Sequence, residues 1–190
     1  MTKSLDDDKR KLRQEMRQRL AAVSPASRTA AGRQASDRLE SSAVLSKAMT
    51  ILAFYPLRTE IDIVPYLTSI LESGARLVLP RVSADGQLEL IEVENLDSNL
   101  SAGTYGIMEP AFGLPPVSPS ELDAIVAPGI AFTAAGERLG QGGGYYDRLL
   151  DWKRRPACPV IGVAYDFQIV DSLPTGPTDM AVDAIVTDER

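Results

Sequence analysis

The 190-residue chain carries a net charge of −6, with one cysteine and no histidine. The missing imidazoles exclude serine–histidine triads, histidine–zinc sites and histidine general bases, and a single cysteine excludes disulfides and cysteine-cluster zinc within the chain. The length suits one globular domain over residues 1–190, and the acidic balance argues against a nucleic-acid partner, whose affinity rests on neutralising phosphates.

The first residues are polar and charged, with no signal-peptide run, and no apolar stretch nears the roughly 20 residues of a membrane span. A cytoplasmic protein without a membrane partner is the expectation. Ser4 is placed to cap a first helix, with Asp6 to Asp8 in its first turn. Leu5, Leu12, Met16 and Leu20 form one apolar stripe, while Lys9, Arg13 and Arg17 recur every four residues along another face. In an acidic protein, such a basic helix suggests a small anionic ligand, with a solvated helix face as the alternative. Ser24-Pro25 opens a second helix.

Short apolar runs follow. The pattern predicts a strand over 50–55, a helix over 64–73 closed by Gly74, a strand over 76–79 ending at Pro80, and an edge strand over 88–91 after Asp85-Gly86. A proline-rich loop over 114–119 leads to a strand over 124–127. Beyond a glycine-rich segment come a helix over 145–154, a strand over 160–164 and a last apolar run over 184–186. This alternation implies the α/β class: one three-layer domain whose mostly parallel central sheet is flanked by helices on both faces. Ligands of such sheets bind beyond the carboxyl ends of the strands, which points to residues 56–62, 128–146 and 165–166.

The strongest local signal runs from Arg138 to Arg148, with Gly140, Gly142, Gly143 and Gly144 inside it. Glycines let a backbone approach an anion closely, and the helix behind them offers its unpaired N-terminal amides to the same charge. Arg138 adds a full positive charge. The segment is a phosphate cradle by this reasoning, but no Gly-Lys-Ser/Thr follows as a Walker sequence requires. The two tyrosines stand where a dinucleotide fingerprint wants small residues.

Arg138-Leu139-Gly140-x-Gly142-x-Gly144-Tyr145-Tyr146-Asp147 resembles the signature of the 5-formyltetrahydrofolate cyclo-ligase family. Lys9-Arg10-x-Leu12-Arg13, Tyr55-x-x-x-x-Glu60-Ile61, Tyr105-Gly106-Ile107-x-Glu109-Pro110, Pro128-Gly129-x-Ala131-Phe132 and Ala164-Tyr165-Asp166-x-Gln168 agree with it in order and spacing. The resemblance implies an ATP- and Mg2+-dependent enzyme that closes 5-formyltetrahydrofolate to 5,10-methenyltetrahydrofolate and releases ADP and phosphate. It implies catalytic roles for Lys9, Arg13 and Arg138. ATP would be enclosed by these three with Leu139, Gly140, Gln141, Gly142, Gly143, Gly144, Tyr145 and Tyr146.

The resemblance also places the folate against Tyr55, Glu60, Tyr105 and the loop from Gln141 through Gly142, Gly143 and Gly144 to Tyr145. It assigns magnesium to Asp147 and Asp179. The expected partner is the small-molecule folate alone, bound by a monomer. Arg138→Ala is expected to lose activity while folding normally. One departure is Pro177-Thr178-Asp179 where many members carry Glu-His-Asp, which puts in doubt any mechanism needing an imidazole there. A folate- or nucleotide-holding protein without turnover, and a sugar-phosphate isomerase or acyl-CoA transferase on a related fold, are the alternatives; ATP dependence separates them.

Overall fold

The computed structural model describes residues 2–83, 86–103, 108–152 and 158–190. Helix α1 (Thr2–Ala21) begins before Ser4, so that serine lies within the helix and Asp6 to Asp8 follow its first turn. Nothing in residues 2–5 breaks a helix, which therefore extends past the expected cap. The second boundary is as expected. Ser24 is extended and its hydroxyl accepts the Ser27 amide at 3.1 Å, with Pro25 in the first turn of α2 (Pro25–Glu40).

Strand β1 (Thr50–Leu52) is shorter than the predicted run, because after Ala53 the chain leaves the sheet toward Tyr55 and Glu60. Helix α3 (Val64–Glu72) ends before Gly74, whose φ of +80° no side-chain-bearing residue adopts cheaply. Strand β2 (Arg76–Val82) runs through Pro80 instead of stopping there. β1 pairs only with its first three residues, Arg76 to Val78, so beyond them one edge of β2 needs no ladder donor and tolerates proline. β3 (Leu88–Val93) returns antiparallel to β2, pairing Pro80 with Leu90.

A ribbon of β4 (Leu100–Ala102) and β5 (Met108–Pro110) follows, unforeseen because three-residue strands carry no periodicity. The proline-rich stretch is more than a loop. Pro116 bridges Ile91, Val117 donates its amide to Leu90, and Ser118 caps a 3-10 turn over Pro119–Glu121, so this segment covers the β3 edge. The chain continues through β6 (Ala124–Ala127), the hairpin β7 (Ala131–Phe132) and β8 (Arg138–Leu139), α4 (Tyr145–Trp152), β9 (Val160–Ala164) and β10 (Ala184–Thr187). The expected end of α4 at 153–154 falls outside the described residues.

The main sheet runs β10-β9-β6-β1-β2-β3, parallel except for β3. Its pleat sorts two cores. Ile51, Leu77, Val126 and Val163 face α1, α2 and α3 through Met16, Leu39 and Leu67, while Leu52, Val78 and Ile125 face Phe132 and Leu150 of α4. Among the described residues no helix is long and apolar enough to cross a membrane.

The fully buried Phe132 ring occupies the space that side chains at Gly129 and Gly162 would fill. A β-carbon on Gly162 would stand 2.6 Å from Phe132 Cε1. Gly162→Ala is therefore expected to destabilise the fold by about 1–3 kcal/mol, read as a lower urea midpoint with unchanged slope. A midpoint equal to the parent's would show that the ring moves aside without cost.

Candidate active site

The site is assembled at the carboxyl end of β6, where the chain turns into the β7–β8 hairpin. Gln168 is buried and its side-chain amide donates to Gly129 O and Ile130 O, both at 2.9 Å, which fixes that turn. Ile130 N donates to Leu139 O at 2.7 Å and closes the hairpin. The loop between β8 and α4 then passes Gly142 at φ +111° and Gly144 at φ +67°, both of which favour glycine.

Helix α1 lies against this loop. Arg13 Nε donates to Gly140 O at 2.8 Å, and one turn later Arg17 Nη2 donates to Gln141 O and Oε1 at 3.1 and 3.2 Å. Burial, then the nearby Arg17 charge, lowers the Arg13 pKa.

Between helix and loop lies a cleft of about 620 Å³. Its walls carry four cations, Lys9, Arg13, Arg138 and Arg148, and four carboxylates, Asp6, Asp147, Asp151 and Asp179. Two pairs of opposite charge are already formed. Arg138 Nη2 donates to Asp147 Oδ1 at 2.6 Å, and Lys9 Nζ donates to Asp179 Oδ1 at 2.7 Å. Met180 N donates to Asp147 Oδ1 at 3.2 Å and Gly176 N to Asp179 Oδ2 at 2.6 Å, so one backbone segment aligns both aspartates. Pro177 and Thr178, in the segment that departs from the family pattern, line the same cleft.

A smaller cavity of about 150 Å³ lies against the same loop. It shares Arg138, Gly140, Gly144 and Asp147 with the cleft and adds Leu88, Gln141, Gly143, Tyr145 and Tyr146. The residues expected together around a triphosphate are thus divided. Lys9, Arg13, Arg138, Leu139, Gly140, Gly142 and Gly144 border the larger space, whereas Gln141, Gly143, Tyr145 and Tyr146 border only the smaller one. The Arg138 guanidinium sits 5.7 Å from the Tyr146 ring centroid, and the Tyr146 hydroxyl is buried without a hydrogen-bond partner among the described residues. Burial raises its pKa, so it is a neutral donor.

Glu60 lines neither cavity but is tied to the loop. Its Oε1 accepts from Gln141 Nε2 at 3.3 Å and its Oε2 from Leu57 N at 2.9 Å. Burial raises its pKa despite these bonds. A raised native pKa means the folded state holds its proton to higher pH than the unfolded chain, so stability falls as pH rises from the unfolded value toward the folded one. Glu60→Gln should remove that fall, so its melting temperature relative to the parent's should rise from pH 4 to pH 7, even though the amide satisfies only one of the two N–H donors at Glu60. A melting difference unchanged across that range would contradict the buried-carboxyl reading.

Tyr55, half-buried against the main core, lines neither cavity, and Tyr105 lies outside the described residues. Tyr165 is buried and donates to Glu60 O, while Asp166 accepts from Arg190 and Thr187, so residues 165–166 brace the C-terminal strand and the Glu60 turn. Arg138, expected to be dispensable for folding, is only 5% exposed and holds Asp147 and Pro128 O; removing it disturbs structure as well.

Two contributors had no assigned site role from sequence. Arg17 belongs to the four-residue basic repeat, whose continuation past Arg13 was the available signal. Arg148 lines the cleft, donates to Gly143 O at 3.1 Å and stacks over Tyr145, one residue beyond the signature's last position. Among the described residues no three His, Cys, Asp or Glu side chains cluster as a metal cage. Two hard carboxylates in one anion-receptive cleft fit an ion such as magnesium, which keeps water and phosphate as its remaining ligands.

A sequence model of the 5-formyltetrahydrofolate cyclo-ligase family matches residues 6–188. The 5-formyltetrahydrofolate cyclo-ligase of Escherichia coli strain K12 is 33% identical over 178 residues, covering 92% of this chain and 97% of that one. The solved structure of Aquifex aeolicus 5,10-methenyltetrahydrofolate synthetase superposes with a TM-score of 0.83 at 34% identity, over 96% of this chain and 90% of that one. The Mycoplasma pneumoniae 5,10-methenyltetrahydrofolate synthetase gives a TM-score of 0.77 at 26% identity, over 95% and 99% of the respective chains.

Proposed function

The chain belongs to the 5-formyltetrahydrofolate cyclo-ligase family and has that ring-closing activity, and on this premise we propose that it drives the closure with ATP and magnesium by phosphorylating the formyl oxygen. The observation supporting this reading is the shared wall. Arg138, Gly140, Gly144 and Asp147 border both the charged cleft and the smaller cavity beside Tyr145. A polyphosphate in the first and a formamide in the second would meet across one short stretch of loop.

The chemistry asks for little else. A formamide is a poor electrophile because its nitrogen lone pair is delocalised into the carbonyl. Transfer of the γ-phosphoryl group to the formyl oxygen breaks the bond to ADP and forms a carbon–oxygen–phosphorus link. N10 then attacks the formyl carbon and releases its proton to solvent, the carbon–oxygen bond breaks, and phosphate leaves with the former formyl oxygen. Positioning and charge stabilisation carry such transfers, without a covalent nucleophile or an imidazole. Lys9, Arg13 and Arg138 would hold the phosphates, aided by loop amides. The flat pterin would lie on the Tyr145 side, with Tyr55, Tyr105 and the acceptor Glu60 as its further contacts.

Asp147 and Asp179 would hold magnesium, which when bound supplies charge neutralisation at the phosphates. Each aspartate is paired with a cation that the phosphates also need. With phosphates bound, Lys9 and Arg138 would turn from these carboxylates to the phosphates, leaving Asp147 and Asp179 free to hold the ion. The test is an absorbance assay of the methenyl product from 5-formyltetrahydrofolate, with ATP and magnesium omitted in turn. Product that needs both supports the reading; product formed without ATP, or folate binding without turnover, overturns it.

A further inference from the structure

We infer that Arg17 is a positioning residue for the contact between Glu60 and folate, acting through the orientation of the Gln141 side-chain amide. A primary amide has two unlike ends, and only one of them can donate to Glu60. Arg17 Nη2 occupies the other end, donating to Gln141 Oε1 at 3.2 Å, and it also donates to the Gln141 carbonyl at 3.1 Å. With its oxygen held toward α1, Gln141 presents Nε2 to Glu60 Oε1 at 3.3 Å. A flipped amide would turn its NH2 toward the Arg17 guanidinium, which has no acceptor, and would lose the bond from Arg17 and the donation to Glu60.

The other side of Glu60 is fixed independently. Leu57 N donates to Oε2, and Arg28 Nε donates to the Glu60 carbonyl at 3.0 Å while Arg28 Nη1 pairs with Asp62 at 3.0 Å. The Gln141 bond is therefore what sets the position of Oε1, and Arg17 selects the amide orientation that makes it. Arg17 is itself exposed and borders neither cavity, so its effect on substrate is indirect. Arg13, one turn earlier, holds Gly140 and lines the phosphate cleft. Successive turns of one helix thus serve two subsites: Arg13 the phosphates, and Arg17 the folate.

The inference rests on Glu60 as a folate acceptor, and steady-state kinetics separate the two claims. Arg17→Ala should raise the folate KM about three- to tenfold, the scale of one or two side-chain hydrogen bonds, with kcat, the ATP KM and the melting temperature near those of the parent. Arg17→Lys should recover part of the loss, since an ammonium can still donate to a Gln141 oxygen. In a Gln141→Ala background, Arg17→Ala should change the folate KM less than twofold, because its route to Glu60 is already cut. An equal fold-change in both backgrounds, or a matching rise in the ATP KM, would show that Arg17 merely anchors the helix and would overturn the inference. If Glu60→Leu, which leaves no acceptor, keeps the folate KM unaltered, the acceptor role itself fails, whatever Arg17 does.

Discussion

Arg138→Ala should lower kcat/KM by about 10²–10³-fold, the range found when a preorganised donor is removed from a developing oxyanion. Arg138 is the cation common to both cavities, so it alone of the cleft's basic residues would face the phosphoryl group and the acceptor oxygen together. The same substitution strips Asp147 of its ion-pair partner and leaves a cavity under Tyr146, so the melting temperature should fall as well. Arg138→Lys separates the two effects. An ammonium retains charge beside Asp147 but cannot also reach Pro128 O in the guanidinium's fork geometry, so stability should recover further than activity. Steady-state kinetics alongside thermal melting give the comparison. Activity of the alanine variant within threefold of the parent would remove Arg138 from the chemistry.

The second large effect concerns Asp179. Asp179→Asn should cut magnesium-dependent turnover by about 10²-fold, since a neutral amide is a far weaker ligand for a hard dication. Its second consequence has the opposite sign. Lys9 loses the carboxylate that now holds it, and the cleft's balance of four cations against four carboxylates tips toward positive. Metal-free ATP should therefore bind the variant more tightly than the parent, measured by calorimetry in the presence of a chelator. Weaker metal-free binding would mean that Lys9 and Asp179 form a structural pair with no part in phosphate capture.

Much of this was legible in the sequence because it depends on local pattern. Strands 124–127 and 160–164 are uninterrupted apolar runs bounded by turns, as strands buried on both faces must be, and β6 and β9 follow them residue for residue. The Ser24-Pro25 boundary and the glycine loop carry their own stereochemistry. Pro80 misled because a proline's meaning in a strand depends on whether a neighbour needs its missing amide, and that neighbour, β1, ends three residues into the pairing. Ser4 misled because a capping residue stops nothing if the preceding residues can also be helical.

Sequence spacing placed the expected residues on one loop but could not say how the loop divides them between two cavities. Gly142 borders the cleft and its neighbour Gly143 the smaller cavity, a division that identical residue types in sequence cannot reveal. The Arg17–Gln141–Glu60 connection joins three segments, 124 and 81 residues apart along the chain, and no local pattern encodes it. Pairing of Lys9 with Asp179 across 170 residues was likewise out of reach, although both residues were separately singled out.

The most direct measurement follows the formyl oxygen. 5-Formyltetrahydrofolate labelled with ¹⁸O in the formyl group is turned over with ATP and magnesium, and the released phosphate is analysed by mass spectrometry. Phosphorylation of that oxygen predicts one ¹⁸O atom in each phosphate formed. Unlabelled phosphate, with the label recovered in water, would contradict it.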